Sequence, residues 1–296
     1  MRSLLLVIAS LFIYLTSLGQ PLRVGFYNVE NLFDTINQPS VDDGDFTPTG
    51  RKKWTSHKYE SKITNLVRSI SLFDPDVLGV CEVENYGVVC DLAQRTARLT
   101  GVVHYDSHDS RGIDVALLFD TTKLHLVASE PIFVGTMRRS FLRVDFLIAG
   151  SKRKDKLTVF VVHLPSKLGG SKASIRRGEA LHALDSLTHG VEYGVVVGDM
   201  NDSPREVGAL YNCAIEPFEH GRGSYAYRDV WDMIDQIFIT RSLLPYCDGV
   251  QQVMRHPSLI VRRGRWSGYP RKGAVSDHLP VYLDLDIGRA AVPISH

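Results

Sequence analysis

The segment YGVVVGD at residues 193–199 contains three consecutive valines and lacks the alternation of polar and apolar residues that marks a half-exposed strand. A strand that is apolar on both faces has to be covered on both faces, which places it inside a layered structure. Comparable strand-like runs recur along the chain, at residues 22–29, 76–83, 113–119, 124–134, 141–150, 156–164, 191–199, 233–240 and 279–286. This pattern predicts two β-sheets packed against each other.

Three segments with helical periodicity separate some of these runs. The clearest covers residues 57–72, with apolar residues at the i, i+3, i+4 and i+7 positions counted from Ile63. Residues 86–100 and 172–188 show similar patterns. Many strands with few helices predict an α/β (α+β) fold in which helices cover the outer faces of two sheets. No repeat or low-complexity linker divides the chain, so we expect a single domain over residues 20–296.

Residues 1–19 have the features of a secretory signal peptide. One positive charge, Arg2, precedes an apolar run, and the small residues Ser17 and Gly19 occupy positions −3 and −1 of a cleavage site before Gln20. The run is short for a membrane span, although an uncleaved N-terminal anchor is the alternative interpretation. We therefore expect a secreted or periplasmic protein with no membrane span in its mature chain.

The four cysteines, Cys81, Cys90, Cys213 and Cys247, do not have the spacing of a zinc site. Export would permit disulfides. Cys81, however, lies in an apolar strand pattern, where a buried free thiol is common. The sequence therefore defines no particular pairing.

Polar residues that are unusual in apolar strands lie at the ends of five of the runs. They are Asn28 and Glu30, Glu82 and Glu84, His163, Asp199, and the pair Asp277 and His278 that precedes the last run. A single aspartate after a strand is typical of a turn, but five cases require solvation, mutual pairing or a bound cation, because unpaired buried charge is costly. Hard oxygen donors of this type suit magnesium, manganese or calcium.

Seven segments carry a resemblance to a known family. They are FYNVENLFD, VLGVCEVEN, SRGIDVALLFD, VVHLPSK, VVVGDMND, MIDQIFI and SDHLPVYLDL, in this order between residues 26 and 286. On these segments the chain is identified as a member of the endonuclease/exonuclease/phosphatase superfamily, which includes deoxyribonuclease I and the abasic-site endonucleases. The resemblance implies a four-layer α/β/β/α sandwich of two mixed sheets flanked by helices, with the site in a groove at one edge. It also implies metal-dependent hydrolysis of phosphate esters.

The resemblance makes Glu82 the principal ligand of a divalent cation, with Asn28 and Asp277 as further metal-binding groups. The expected cation is Mg²⁺ or Mn²⁺, and Ca²⁺ is also compatible. The family usually has a glutamine before this glutamate, and Cys81 stands there instead. Glu84 would project to the same side as Glu82 in an extended strand and is the alternative ligand.

The resemblance assigns catalytic roles to five residues, His163, Asp199, Asn201, Asp235 and His278. Asp199 and Asn201 match the family's Asp-x-Asn, whose side chains contact the attacking water, the metal and the phosphate. His278 matches the catalytic histidine of the closing motif, and Asp235 is expected to accept a hydrogen bond from its imidazole. His163 matches a second histidine that stabilises the transferring phosphoryl group or protonates the leaving oxygen.

Substrate-binding roles are predicted for Asn28, Asn201 and Arg139. Arg139 resembles a substrate-side arginine of the family, and a guanidinium suits a phosphate because it donates two parallel hydrogen bonds. An ordinary exposed arginine is the alternative. Asp114 is expected to orient His163, and a purely structural aspartate is the alternative for this position.

Local charge indicates the substrate better than overall charge does. The chain has 34 Lys and Arg against 33 Asp and Glu, a formal net charge of +1, which gives no general attraction to nucleic acid or membranes. Residues 255–273, the basic loop, nevertheless contain six Lys and Arg and no acid, together with Trp266 and Tyr269. Basic groups that follow a backbone and rings that stack on bases favour a DNA or RNA endonuclease. An ordinary solvated loop is the alternative.

Two other classes of function remain open at this point. A phosphatase or a sphingomyelinase-like phospholipase is the first, because one fold hosts many chemistries. A sphingomyelinase is expected to show an exposed apolar hairpin for membrane contact, and the sequence contains no convincing one. A catalytically inactive binding module is the second, and the complete set of site residues argues against it. No stable protein partner is implied, and a monomer is expected.

Overall fold

The computed structural model describes residues 21–150, 155–265 and 267–287. The segment interpreted as a signal peptide, residues 1–19, and Trp266 of the basic loop lie outside the described residues. The described strands form two six-stranded sheets and one separate hairpin.

The first sheet is built around two parallel strands. Its strand order is β13 (Gln252–Val253), β14 (Val281–Leu285), β1 (Leu22–Leu32), β2 (Val77–Val83), β4 (Asp114–Phe119) and β3 (Gly101–His104). β1 runs parallel to β2, and the other neighbouring strands are antiparallel. This sheet is mixed, which confirms the predicted architecture.

The second sheet has the same mixed character. Its strand order is β5 (Leu124–Ile132), β6 (Phe141–Ile148), β7 (Lys156–His163), β8 (Gly194–Asp199), β12 (Asp235–Ile239) and β9 (Tyr211–Asn212). β7 and β8 are parallel, and the other pairs are antiparallel. The separate hairpin consists of β10 (Tyr225–Tyr227) and β11 (Val230–Asp232). β5 ends two residues earlier than predicted and is an exposed edge strand.

Four α-helices are described. They are α1 (Ser56–Phe73), α2 (Tyr86–Gln94), α3 (Gly170–Thr188) and the short α4 (Ile215–Glu219). α1 begins where the Thr55 side chain accepts a hydrogen bond from the Lys58 N–H, and it ends at Asp74 in the left-handed conformation. α2 is shorter than the predicted 86–100, since it ends at Gln94. Leu99, beyond the helix, is also buried, and it therefore extended the apolar pattern from which the longer helix was predicted.

The layers follow from the two-sided burial of the central strands. Val195 and Val197 of β8 point into the core between the sheets, whereas Val196 packs beneath α3. α1 and α2 cover the outer face of the first sheet. Gly79 in β2 permits the close contact of the sheets, since a Cβ there would lie 2.6 Å from a methyl group of Val197. The result is the predicted four-layer α/β/β/α sandwich.

The described residues contain all four cysteines, and each thiol is free. Cys81 and Cys213 are buried, in agreement with the apolar environment predicted for Cys81. Among the described helices, none combines the length and the apolar character needed to cross a membrane.

Candidate active site

The predicted site residues gather at one edge of the sandwich because the strand directions agree. β1 and β2 are parallel within one sheet, as are β7 and β8 within the other, so their carboxyl ends carry side chains to the same edge. β12 enters antiparallel to β8, which aligns Asp235 with Asp199, and β7 aligns His163 with the same residue. His278 precedes β14, which pairs antiparallel with β1.

Asn28 joins the two sheets at this edge. Its side-chain amide nitrogen donates to Glu82 Oε1 of the same sheet at 3.1 Å and to Asp199 Oδ2 of the opposite sheet at 3.1 Å. Its side-chain oxygen accepts from the Glu30 N–H at 2.9 Å, which orients the amide. The two carboxylates are therefore held together through a buried hydrogen-bond donor.

Glu82 lies in an irregular part of its strand. The register of β2 shifts between Cys81 and Val83, and Glu82 has a positive φ of 62°. Such a backbone conformation is uncommon for a residue with a side chain, and a bulge re-aims the side chain it carries. Glu82 Oε2 accepts from the Asn31 N–H at 3.0 Å, and its side chain remains 19% exposed. The carboxylate is thus fixed in position and open to the groove.

Glu84, the alternative ligand, lies in a different environment. It is buried, and its Oε2 accepts from the Asp34 N–H at 2.7 Å. Burial, together with the neighbouring carboxylates of Asp34 and Asp43, raises the pKa of Glu84 to about 8, although the backbone hydrogen bond opposes this. Its contacts therefore tie it to the segment after β1 rather than to the cluster around Asn28.

His278 and Asp235 form a buried pair. The His278 Nδ1 donates to Asp235 Oδ2 at 2.8 Å, which directs Nε2 towards Asp277 Oδ1 at 3.8 Å and Asp199 Oδ2 at 4.0 Å. Burial lowers the pKa of His278, but the charge and hydrogen bond of Asp235 outweigh it, with help from Asp199 and Asp277, and raise the pKa to about 10. The imidazole is therefore charged at neutral pH.

Asp199 lies at the centre of the cluster. Its Oδ2 is 3.7 Å from His163 Nε2, and its Oδ1 accepts from the Asn201 N–H at 2.8 Å. Burial, together with the charges of Asp235 and Glu82, raises the pKa of Asp199 to about 7, although the charged His278 opposes this. This carboxylate therefore exchanges its proton near neutral pH.

His163 is a neutral counterpart to His278. Burial and the positive charges of Arg139, His278 and Arg111 lower the pKa of His163 well below its usual value. Its Nε2 also lies 4.0 Å from Glu82 Oε1, while its buried Nδ1 has no hydrogen-bond partner. The two histidines of the site therefore differ in charge because only one of them has a bonded carboxylate.

Three further predicted residues border this cluster. The Asn201 side chain donates to the Leu164 carbonyl at 3.0 Å and so links the ends of β7 and β8. Asp277 is 21% exposed, and its Oδ2 lies 3.3 Å from Lys272 Nζ. The Arg139 Nε donates to Asp109 at 2.9 Å, while its Nη1 is buried without a hydrogen-bond partner. Arg139 is thus anchored on one side and keeps an unused donor.

The expectation that Asp114 orients His163 is wrong. Asp114 Oδ2 lies 3.3 Å from His104 Nε2, and its Oδ1 accepts from the Ser107 N–H at 2.9 Å. The reason is the register of β3 and β4, which places His104 opposite Ala116, on the same sheet face as Asp114. Asp114 therefore belongs to a separate cluster.

Sequence reasoning missed residues that support the closing segment. The Tyr225 ring packs on the His278 ring at 4.8 Å, and the Ser276 hydroxyl donates to the Asn28 carbonyl and accepts from the His278 N–H. Lys62 of α1 is buried and donates to the Val275 carbonyl. Burial lowers the pKa of Lys62 to about 8, opposed by nearby carboxylates. The position of this lysine within the apolar face of α1 could have indicated from the sequence that it is buried and has a partner.

The basic loop is partly occupied by internal contacts. The Tyr269 ring stacks on Trp231 of β11 at 5.6 Å, and its hydroxyl donates to Asp229 at 3.1 Å. The Arg255 guanidinium lies 4.3 Å above the same Trp231 ring. These contacts hold the hairpin of β10 and β11 against the basic loop, so Tyr269 stabilises the hairpin rather than presenting a free ring.

The donor chemistry of the edge fits a hard divalent cation. Glu82 and Asp277 offer partly exposed carboxylates, and the Asn28 amide contacts both Glu82 and Asp199. Asp199 and Asp235 add two carboxylates at the same edge, and the charged His278, bonded to Asp235, lies beside them without acting as a ligand. Burial is the largest cause of the raised pKa of Asp199, the charges of Asp235 and Glu82 add to it, and a cation at this edge would favour the charged carboxylate.

Comparisons with known proteins agree with this geometry. The model of the Endonuclease/Exonuclease/phosphatase family matches residues 23–287, whereas no curated protein sequence gives a significant match. Three solved structures, each covering 90% of this chain, are similar to it. They are TDP2 from D. rerio complexed with single strand DNA product (17% identity, 99% of that chain, TM-score 0.59), the human Nocturnin catalytic domain with bound sulfate anion (16%, 93%, 0.59) and ANGEL2, a 2′,3′-cyclic phosphatase (14%, 95%, 0.58).

The family match spans nearly all the described residues, and the acidic and histidine cluster agrees with the family's dependence on a divalent metal. The chain belongs to the endonuclease/exonuclease/phosphatase family and is a hydrolase that acts on phosphate esters.

Proposed function

We propose that this protein is an exported, divalent-cation-dependent phosphodiesterase that cleaves nucleic acid. The observation that carries the proposal is the convergence of Asn28, Glu82, Asp199 and the Asp235–His278 pair at one edge of the sandwich. This set combines hard oxygen ligands, a carboxylate that titrates near neutral pH and a charged imidazole. In-line hydrolysis of a phosphodiester uses each of these properties.

Glu82, Asp277 and Asn28 are the proposed cation ligands. A bound Mg²⁺ or Mn²⁺ would neutralise charge on a non-bridging phosphate oxygen. Asp199, held by Asn28 and by the Asn201 N–H, is placed to accept a proton from an attacking water. The charged His278, fixed by Asp235, stabilises the negative charge that develops on the phosphoryl oxygens.

His163 and Arg139 are proposed to act on the phosphate and the leaving group. The neutral His163 has its Nε2 directed at the cluster, 3.7 Å from Asp199 Oδ2. Arg139 is anchored by Asp109 and keeps the buried Nη1 without a partner, and such a donor suits a phosphate oxygen. Asn201 contributes to substrate binding through its place beside Asp199.

A nucleic-acid substrate is supported by the hairpin of β10 and β11. Tyr225 contacts His278, and Tyr227, two residues further along the same strand, is on the same face and 54% exposed. Arg228 lies 5.1 Å above the Tyr227 ring, so a planar surface and a positive charge adjoin the site. The similar structure of D. rerio TDP2 holds a single-strand DNA product, which agrees with this substrate class.

A substrate panel tests the proposal. Purified protein is assayed with Mg²⁺ or Mn²⁺ on single-stranded DNA, plasmid DNA, RNA, a small phosphodiester, a phosphomonoester and sphingomyelin vesicles. We expect the highest kcat/KM on nucleic acid, a lower value on the small diester, and no turnover after chelation. His278→Ala is the inactive variant, and His125→Ala, at an exposed histidine of the edge strand β5, is its matched control.

Two outcomes would overturn parts of the proposal. A higher kcat/KM on the phosphomonoester or on sphingomyelin would replace nucleic acid as the substrate class. Equal activity of the His278→Ala and His125→Ala variants would remove the proposed site.

Export is proposed from residues 1–19 alone. A phosphodiesterase outside the cytoplasm would meet extracellular nucleic acid, and this location agrees with the substrate class above. Fractionation of the source cells tests it, and recovery of the protein only from the cytoplasmic fraction would contradict it.

A further inference from the structure

A second cluster of ligating side chains lies where β3 ends and β4 begins. His104 is the last residue of β3, and Asp114 is the first residue of β4. Because His104 pairs with Ala116 and side chains alternate along a strand, His104 and Asp114 project from the same face. Together with Asp106 they bring one ligand atom each within 4.8 Å of the others.

The imidazole of His104 is buried and incompletely satisfied. Its side chain is 2% exposed, and Nε2 has no hydrogen-bond partner. Asp114 Oδ2 lies only 3.3 Å away, but the two groups do not have hydrogen-bond geometry. A buried polar atom without a partner is costly, which indicates that another group completes this site.

The spacing of these two atoms fits a tetrahedral cation. Zinc binds imidazole nitrogen and carboxylate oxygen at about 2.1 Å, and two such ligands at a tetrahedral angle lie about 3.4 Å apart. The observed separation between His104 Nε2 and Asp114 Oδ2 is 3.3 Å. The other oxygen of Asp114 accepts from the Ser107 N–H at 2.9 Å, which leaves Oδ2 available. Held carboxylates of this kind are typical of metal ligands.

We propose that His104, Asp106 and Asp114 bind a transition-metal dication of the Zn²⁺ type. One imidazole and two carboxylates form a donor set that suits zinc. The Asp106 Oδ1 lies 3.9 Å from His104 Nδ1, and because the Asp106 side chain is 87% exposed it can turn towards the Nε2 side to complete the set. No residue of this cluster belongs to the catalytic cluster around Asp199. The proposal is therefore independent of the proposed function.

The metal would hold the segment that anchors Arg139. Asp106 and Asp114 flank residues 107–113, within which Asp109 accepts from Arg139 Nε at 2.9 Å. The His108 N–H also donates to the Arg138 carbonyl at 2.8 Å. A cation bound at both ends of this segment would restrict its motion and so keep Arg139 in place.

Zinc binding to the chelator-treated full chain tests the proposal, with the Glu82→Ala change present throughout to weaken binding at the catalytic edge. Equilibrium dialysis should give one Zn²⁺ per chain, and Zn²⁺ should raise Tm. Asp106→Ala should weaken the affinity about tenfold or more without affecting folding, since its side chain is exposed. His125→Ala, an exposed histidine on β5, is the matched control and should bind as the parent does.

A second substitution separates metal binding from a simple ion pair. Asp114→Asn retains an oxygen for the Ser107 N–H but removes the charge, and it should also lose Zn²⁺ and the associated rise in Tm. Parent-like Zn²⁺ affinity in both Asp106→Ala and Asp114→Asn would overturn the proposal. Absence of Zn²⁺ binding to the parent would do the same.

Discussion

Replacing Asp235 with asparagine tests the central pair of the candidate site. Asp235 is fully buried, and its Oδ2 lies 2.8 Å from His278 Nδ1. The pKa of His278 is raised from 6.5 to about 10, and the difference of about 3.5 corresponds to about 5 kcal/mol in favour of the charged imidazole, at 1.36 kcal/mol for each pKa unit. Asp199 and Asp277 supply a smaller part of this energy, so most of it is expected to disappear in the variant.

The expected results concern protonation, stability and rate. In Asp235→Asn the pKa of His278 should fall strongly, because burial is then opposed only by the weaker charges of Asp199 and Asp277. Since the folded-state pKa of His278 lies above its unfolded value, the pair stabilises the fold fully below pH 6.5 and loses this effect as pH rises through about 10. The free energy of unfolding of the variant should not show this decline with rising pH. Loss of the orienting carboxylate should lower kcat about 10²- to 10⁴-fold.

The assays are histidine NMR titration and urea unfolding between pH 6 and 10 on chelator-treated protein, with kcat measured separately in Mg²⁺. Asp284→Asn, which breaks the exposed pair with Arg23, is the control and should leave the pKa of His278 unchanged. An unchanged pKa of His278 in Asp235→Asn, or a kcat within about threefold of the wild type, would refute the reasoning.

Three further predictions can be checked independently. Glu82→Gln should lower the rate at saturating Mg²⁺ by orders of magnitude, whereas Glu84→Gln should retain it, because Glu84 is buried against the Asp34 N–H, away from the cluster around Asn28. Initial rates with matched circular dichroism spectra decide this, and equal losses would contradict it. Neutralising three arginines of the basic loop together should raise KM for DNA and lower the salt dependence by about one unit of slope for each lost phosphate contact, with little change for a small diester. These are Arg262, Arg263 and Arg265. An equal loss on both substrates would mean that the loop shapes the site itself. The exported protein should begin at or near Gln20, and N-terminal sequencing that finds Met1 would contradict this.

The layered fold was predictable because local periodicity carries it. The valine-rich strand that ends at Asp199 and the apolar stripe of α1 can both be recognised as buried from the order and spacing of their apolar residues. Where the pattern was weaker, the predicted ends of strands and helices were wrong. β5 is apolar in sequence but lies at an exposed edge, and the buried Leu99 extended a helical pattern beyond the true end of α2 at Gln94.

The candidate site was predictable to the extent that strand ends converge. Polar residues at the ends of apolar strands, together with the family resemblance, grouped Asn28, Glu82, His163 and Asp199 in the sequence. The parallel pairs β1–β2 and β7–β8 explain why these residues share one edge. The partner of Asp114 could not, because the chain has eleven histidines and only the register of β3 against β4 selects His104.

The sequence by itself determined the nine long apolar strands and the three longer helices, together with the polar residues at the strand ends. The short strands β3, β9, β10, β11 and β13 and the helix α4 carry too little periodicity to be predicted. The tertiary structure alone decided how those residues contact each other. Asn28 bonds Glu82 and Asp199, which lie 54 and 171 residues away in the chain, and it reaches both only because the two sheets pack face to face. Glu82 points into the groove because its strand bulges there, with a positive φ of 62°. Local propensity disfavours that conformation in a glutamate, so it is imposed by the contacts of the folded protein.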